Sequence, residues 1–232
     1  MTGVALITGA AGQLGIELLT VAPSGWNVVG MDVDQLDITD AGAVHRVVGS
    51  HRPACIINAA GFTAVDHAEA EEAAARRVNV DGARHLAESA HRVGAMFVHL
   101  STDYVFSGEA SRPVPPDAPP APRSAYGRTK LEGEQAVVRA LPEALIVRTA
   151  WLYASHGANF VRTMLRHMGT GETVRVVDDQ VGTPTWARSL ARAVWRAVSK
   201  GVTGVHHFTD AGVASWYDFA VAIGEEAAAR GI

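Results

Sequence analysis

Short runs of β-branched and other apolar residues alternate along this chain with longer stretches whose apolar positions recur every three or four residues. The first kind fits strands buried on both faces, the second amphipathic helices. Residues 4–8 (VALIT) predict a strand, followed by a helix from Gln13 to about residue 22. A second strand is expected over 27–32 (NVVGMD), then a helix over 41–51 capped by Thr39 or Asp40. After the break at Pro53 comes a third strand, 54–60 (ACIINAA), apolar along its length. Helix is expected over 69–75 and over 80–93, where Val80, Ala83, Leu86, Ala87, Ala90 and Val93 share one face. Residues 96–100 (MFVHL) read as a fourth strand, 124–140 as a helix, and 144–151 (ALIVRTAW) as a further buried strand. Beyond it the pattern predicts a helix near 159–167, a strand over 173–177, a helix over 186–198 capped by Thr185, and a short strand over 205–209. A capping box of Ser215 and Asp218 starts a last helix that ends near residue 230. Strand alternating with helix is the pattern of an α/β protein with a doubly wound parallel sheet.

The first strand runs into a glycine-rich turn, GAAGQLG, and then directly into helix. Gly9, Gly12 and Gly15 suit a tight turn, close backbone approach to a pyrophosphate, and tight packing of helix on strand. The helix start adds free N–H groups and a partial positive charge. The spacing is GxxGxxG rather than GxGxxG, and in this position it points to dinucleotide binding on a Rossmann-type sheet. Asp32 closes the second strand, where an acid can accept hydrogen bonds from ribose hydroxyls and repel a 2′-phosphate. It therefore favours NADH over NADPH; the alternative is a solvated turn acid. Gly61, Phe62 and Thr63 follow the third strand, where a small residue lets the backbone pass close to a ligand. Asn79 reads as a helix cap or a site residue. Ser101, Thr102 and Asp103 follow the fourth, at the carboxyl end of a parallel strand, where a doubly wound sheet places its chemistry.

Composition narrows the partners. The chain has 232 residues, 48% of them hydrophobic and 19% charged, enough for one α/β domain with a small lobe. A division at about residue 150 is expected, 1–150 carrying the dinucleotide site and catalytic residues, and 151–232 a substrate-side lobe interleaved with it. The net charge of −4, with no basic block, argues against nucleic acid. No stretch is apolar for the length of a membrane span and no basic leader precedes the first strand, so a soluble cytoplasmic protein is expected. The single cysteine, Cys55, lies in an apolar strand and reads as a buried inert thiol. His206 and His207 are adjacent in a strand and so face opposite ways, and no metal site is expected. Residues 107–123, rich in proline, are expected as a long surface loop, free to move over the site.

Tyr126 and Lys130 are four apart on one helix and so share a face. An ammonium beside a phenol is expected to lower the phenol pKa, giving a group that exchanges a proton with a ketone or alcohol oxygen near neutral pH. Thr102 offers a second hydroxyl for the same oxygen. YxxxK alone recurs by chance, but together with the glycine turn it resembles the extended short-chain dehydrogenase/reductase superfamily. The segments GAAGQLG, QLDITD, INAAGFTAVDHAE, STDYVFSG, YGRTKLEGE, RTAWLY, NFVRTML and DDQVGTPTW resemble, more narrowly, the dTDP-4-dehydrorhamnose reductase family.

That resemblance implies reduction of the C4 ketone of dTDP-4-dehydro-L-rhamnose to dTDP-L-rhamnose by hydride from NADPH or NADH. It implies that Gly12, Gln13 and Leu14 hold the pyrophosphate, Asp32 the ribose, and Asp37 and Ile38 the adenine. Ala59, Ala60, Gly61 and Thr63 would line the middle of the cofactor. Tyr126 and Lys130 would also hold the nicotinamide ribose, Thr102 and Asp103 would contact the sugar, and Trp151 would pack on it; the bland reading of Trp151 is a core aromatic. It further implies a nucleotide-sugar substrate, a homodimer, and magnesium in some members. The family continues past the helix at Trp216 with a segment that completes the sugar lobe, so a chain ending at Ile232 is either truncated or a short member, and a genuinely short member is expected to bind cofactor but handle substrate poorly. Three other readings stand beside this one: a 4-ketoreductase for another deoxysugar, a sugar epimerase that keeps NAD bound, and a non-catalytic dinucleotide-binding regulatory subunit.

Overall fold

The structure, a computed structural model, describes residues 2–171 and 173–231. Five parallel strands come first: β1 (Gly3–Thr8), β2 (Trp26–Met31), β3 (Cys55–Asn58), β4 (Met96–Thr102) and β5 (Leu145–Thr149). Three two-residue strands follow, β6 (Leu152–Tyr153), β7 (Val181–Gly182) and β8 (Thr185–Trp186), before β9 (Gly204–His207) joins the main sheet and β10 (Ala214–Ser215) pairs with β7. The main sheet has the order β2-β1-β3-β4-β5-β9, parallel throughout. The helices are α1 (Gln13–Thr20), α2 (Ala41–His51), α3 (Val65–Ala70), α4 (Glu72–Arg76), α5 (Ala83–Val93), α6 (Ala125–Ala140), α7 (Phe160–Met168), α8 (Ala187–Lys200) and α9 (Trp216–Ala229).

Alternate strand residues face opposite layers, as a pleated strand requires. Ile7, Ile57, Val98 and Val147 pack on Leu14 and Leu18 of α1 and on Leu190, Val194 and Trp195 of α8. Leu6, Ile56 and Phe97 pack on Val44 and Val48 of α2, Leu86 and Ala90 of α5, and Val137 of α6. Both faces of the sheet are thus covered, which is why its strands read as continuous apolar runs. A smaller core joins Met164 of α7 to Ala220 and Ile223 of α9.

Several boundaries differ from expectation. Asp40, not Thr39, caps α2 by accepting from Ala43 N at 3.0 Å. The helix expected over 69–75 is two short helices broken at Glu71 (φ −124°, ψ 37°), and 80–93 divides into a π-helical turn, Arg77–Gly82, and α5. Asn79 belongs to that turn and caps nothing: it is buried, bonds both the N–H and the C=O of Phe62, and donates to Thr129. Residues 173–177 form no strand; Val174 and Val176 tuck against the small core while β7 takes the pairing with β10. Thr185 does not cap α8: its hydroxyl donates to Thr183 O, and the Trp186 N–H donates to Asp210 Oδ2 at 2.8 Å. The proline-rich loop is tied to the body rather than free. Ala121 N donates to Val105 O (2.9 Å), and Arg148 Nη1 to Pro116 O (3.2 Å). The Ser215–Asp218 capping box is present in full.

Candidate active site

Strand order reverses between β1 and β3, and a cleft of about 810 Å³ opens there across the carboxyl ends of the strands. Gly9, Gly12, Gln13 and Leu14 form one end of it, with Asp32, Asp37 and Ile38 beside them. Gly9 sits at φ +69°, and a Cβ there would lie 2.6 Å from Ala60 N. A Cβ on Gly15 would lie 2.1 Å from Gly9 O, so Gly15 serves the turn from behind and does not line the cleft. Gly12 caps α1 with no side-chain acceptor, which leaves the first amides of the helix to whatever occupies the cleft. Asp32 accepts from Ala11 N through Oδ2 and from Val33 N through Oδ1, both at 2.8 Å. The carboxylate is thereby fixed beside the turn with a lone pair of each oxygen free.

Ala59, Ala60, Gly61 and Thr63 line the middle of the cleft, and Thr102, Asp103, Tyr126 and Lys130 the far wall. Two glycines let α6 lie directly on this edge. A Cβ on Gly127 would lie 2.2 Å from Tyr104 O, and one on Gly133 2.2 Å from Asn79 O. The start of α6 is capped twice: Ser124 Oγ accepts from Gly127 N and Glu69 Oε1 from Ala125 N at 2.7 Å. Lys130, buried, donates to Leu100 O at 2.6 Å. Burial brings its pKa down to about 8, against the pull of Glu134. Behind it Glu134 forms a buried two-point ion pair with Arg148 (2.9 and 2.7 Å) and accepts from Ser101 Oγ. Arg148 also lies over the Phe106 ring, so one guanidinium joins α6, β5 and the proline-rich loop.

The lowered phenol pKa expected for Tyr126 needs correction. Burial pushes it up to about 12, Thr102 draws it part of the way back, and Asp103 adds to the rise. The Lys130 ammonium is engaged by the Leu100 carbonyl, and desolvation of a phenolate dominates. Tyr126 is therefore a protonated donor across the neutral range. Thr102 Oγ1 donates to Asp103 Oδ1 (3.0 Å) and accepts from Tyr104 N, which fixes both polar groups at the end of β4. Burial raises the Asp103 pKa. The Tyr104 ring, half-exposed on the cleft, meets Tyr126 edge-on at 5.5 Å.

Trp151 lines the cleft and is not simply a core aromatic. It stands just past β5 at φ +47°, a left-handed conformation that costs a non-glycine residue about 1–3 kcal/mol. Three contacts hold it there. Its ring stacks on Trp216 with centroids 3.5 Å apart and planes within 4°, its carbonyl accepts from Thr185 N, and its face lies so close to Gly182 that a Cβ there would sit 2.4 Å away. Phe160 and Phe219 pack around Trp216. Trp216 and Asn159 were legible only as helix starts; nothing in their local pattern signalled a tie to the cleft.

The cleft fits a dinucleotide on its own geometry: a glycine turn packed too tightly for a Cβ at Gly9 or Gly15, an uncapped helix start beside it, and an acid fixed where a ribose would lie. Among the described residues no three His, Cys, Asp or Glu side chains gather as a metal site would require, and no helix is long and apolar enough to cross a membrane.

Comparison with known proteins agrees with this geometry. The family model described as RmlD substrate binding domain matches residues 3–231. The dTDP-4-keto-6-deoxy-D-glucose reductase of Streptomyces niveus is 50% identical over 223 residues, 95% of this chain and 77% of that protein. The dTDP-4-dehydrorhamnose reductase of Streptomyces griseus is 47% identical over 218 residues, 91% of this chain and 72% of that protein. The crystal structure of dTDP-4-dehydrorhamnose reductase from Bacillus anthracis str. Ames in complex with NADP superposes with a TM-score of 0.96 at 38% identity, covering 98% of this chain and 82% of that one. Sequence, sheet order and cleft agree, and the chain belongs to the dTDP-4-dehydrorhamnose reductase family of the extended short-chain dehydrogenases/reductases.

Proposed function

We propose that this chain is an NAD(P)H-dependent 4-ketoreductase that converts dTDP-4-dehydro-L-rhamnose to dTDP-L-rhamnose. The observation that carries the reading is the convergence of Thr102, Tyr126 and Lys130 on the far wall of the cleft that the glycine turn opens. A regulatory dinucleotide-binding subunit has no need of a buried, protonated phenol beside an ammonium. Residues after about 151 are read as the sugar-side lobe, with Trp151 as its floor.

A bound NAD(P)H supplies hydride to the C4 carbon. The chain's own residues do the rest. The first amides of α1 and the glycine turn hold the pyrophosphate, and Asp32, Asp37 and Ile38 enclose the adenosine. Thr102 and Asp103 orient the sugar through the ketone oxygen and a neighbouring hydroxyl. Tyr126 gives its phenolic proton to that oxygen as negative charge develops there, and regains one from solvent. Lys130 holds the ribose beside Tyr126, its ammonium oriented by the Leu100 carbonyl. The Asp32 carboxylate favours a free 2′-hydroxyl, so NADH is expected to serve at least as well as NADPH.

The test is consumption of NADH and NADPH on addition of dTDP-4-dehydro-L-rhamnose, with the product's C4 configuration read by NMR. Stoichiometric oxidation giving dTDP-L-rhamnose supports the assignment. Cofactor that copurifies and is never consumed would favour the epimerase reading, and binding with no turnover of any 4-keto sugar would favour the regulatory one.

A further inference from the structure

The side chain of Gln13 is held from outside the glycine turn. Asn159, the N-cap of α7, donates through Nδ2 to Gln13 Oε1 at 2.8 Å, while Gln13 Nε2 donates to Ala158 O at 3.3 Å. The amide orientations are forced. Asn159 Oδ1 accepts from Arg162 N at 3.1 Å, so Nδ2 must face Gln13, and Gln13 must answer with its oxygen. The same Nδ2 reaches Ala154 O (2.9 Å) and His156 O (3.1 Å), which folds residues 154–159 around it. His156 Nε2 meets the backbone O of Gln13 at 3.1 Å. Gly157, at φ +72°, lies so close that a Cβ would stand 2.8 Å from Gln13 Cγ.

The next residue, Phe160, packs on Trp216 with ring centroids 4.5 Å apart, and Trp216 stacks on Trp151. A continuous set of contacts therefore runs from the pyrophosphate turn through Gln13, Asn159, Phe160 and Trp216 to the strained tryptophan at the other end of the cleft. We infer that Asn159 is a positioning residue: it locks Gln13, preorganises the turn for the cofactor's diphosphate, and couples cofactor binding to the rigidity of the Trp151 end. This rests on the dinucleotide reading of the cleft. Contacts of this kind carry coupling only if both ends respond to one change, so the experiment reads both.

Asn159→Ser keeps an oxygen to cap α7 and removes the donor to Gln13; Asn159→Asp keeps the cap and sets a carboxylate oxygen against Gln13 Oε1. Binding of NADPH and of NADH is measured by calorimetry on the full chain, and amide hydrogen exchange is followed with and without saturating NADPH. Both variants are expected to melt near the parent and to raise the cofactor Kd about tenfold. In the parent, NADPH should slow exchange in residues 9–16 and at the amides of Trp216 and Tyr217, which bond Gln180 O and Val177 O. In the variants the slowing at 9–16 should persist and that at 216 and 217 should vanish. A Kd within about twofold of the parent, or unchanged slowing at 216 and 217, would overturn the inference. A parent that binds neither dinucleotide defeats the functional reading itself, and the inference with it.

Discussion

At the glycine end of the cleft the backbone does the work, and at the tryptophan end remote side chains do. Gly15 is required because nothing larger fits against Gly9 O six residues back, and Gly9 because nothing larger fits against the Ala60 backbone just past the end of the neighbouring strand. Trp151 instead occupies an unfavourable backbone conformation that is sustained by Trp216, Gly182 and Thr185, 31 to 65 positions further along the chain. The first end is rigid by close backbone packing, with Gln13 held in addition by Asn159. The second is rigid only while α9 and the small core beneath it hold Trp216 in place. Affinity for cofactor and handling of the sugar should therefore fail to different degrees, tied to each other through the Gln13–Asn159 contact.

The largest expected effect is at the glycine end. Gly15→Ala forces the helix off the turn, and we expect a loss of about 3 kcal/mol or more of stability with no measurable cofactor binding, read by denaturant unfolding and calorimetry. Next comes Trp216→Leu, which removes the stack that sustains Trp151. It should lower kcat/KM for the sugar about 30-fold while the cofactor Kd rises only about threefold through the Asn159 link, a split that steady-state kinetics and calorimetry resolve. Equal loss of both would show that the two ends are one unit, and an unchanged Kd would contradict the link.

The smallest effect concerns pH and sits between the two ends. Lys130 has a folded pKa brought down by burial to about 8 from 10.5, so its charge is lost as pH rises through about 8. The kcat/KM profile should fall above that point, roughly tenfold per pH unit, with no second limb from Tyr126, whose phenol stays protonated to about 12. Stability has the opposite sign. The unfolded chain binds more protons than the folded one between about 8 and 10.5, so unfolding free energy rises with pH across that window.

The glycine end and the catalytic helix were legible in the sequence for the same reason: the spacing that defines them is local. Gly9, Gly12 and Gly15 fall within one turn and helix start, and Tyr126 and Lys130 within one helical turn. The alternation of strand and helix likewise gave the sheet, since each strand's apolar run is the direct trace of burial on both faces. Asn79 was hard to place because a π-helical turn has no composition of its own, and its partners, Phe62 and Thr129, come from separate elements. The phenol pKa differs from expectation because burial dominates it, and how deeply Tyr126 is buried depends on packing between elements that a four-residue spacing does not show. Trp216 looked like a helix start because its role depends on a stack across elements. The two-residue strands β6, β7, β8 and β10 are too short to leave an alternating pattern.

Substitution of the phenol tests the central claim most directly. With saturating NADPH and dTDP-4-dehydro-L-rhamnose, single-turnover oxidation by Tyr126→Phe should be slower than by the parent by about 10³-fold, with the NADPH Kd changed by less than about threefold. A rate within about tenfold of the parent would mean that the proton reaches the sugar by another route, and that Tyr126 is not its donor.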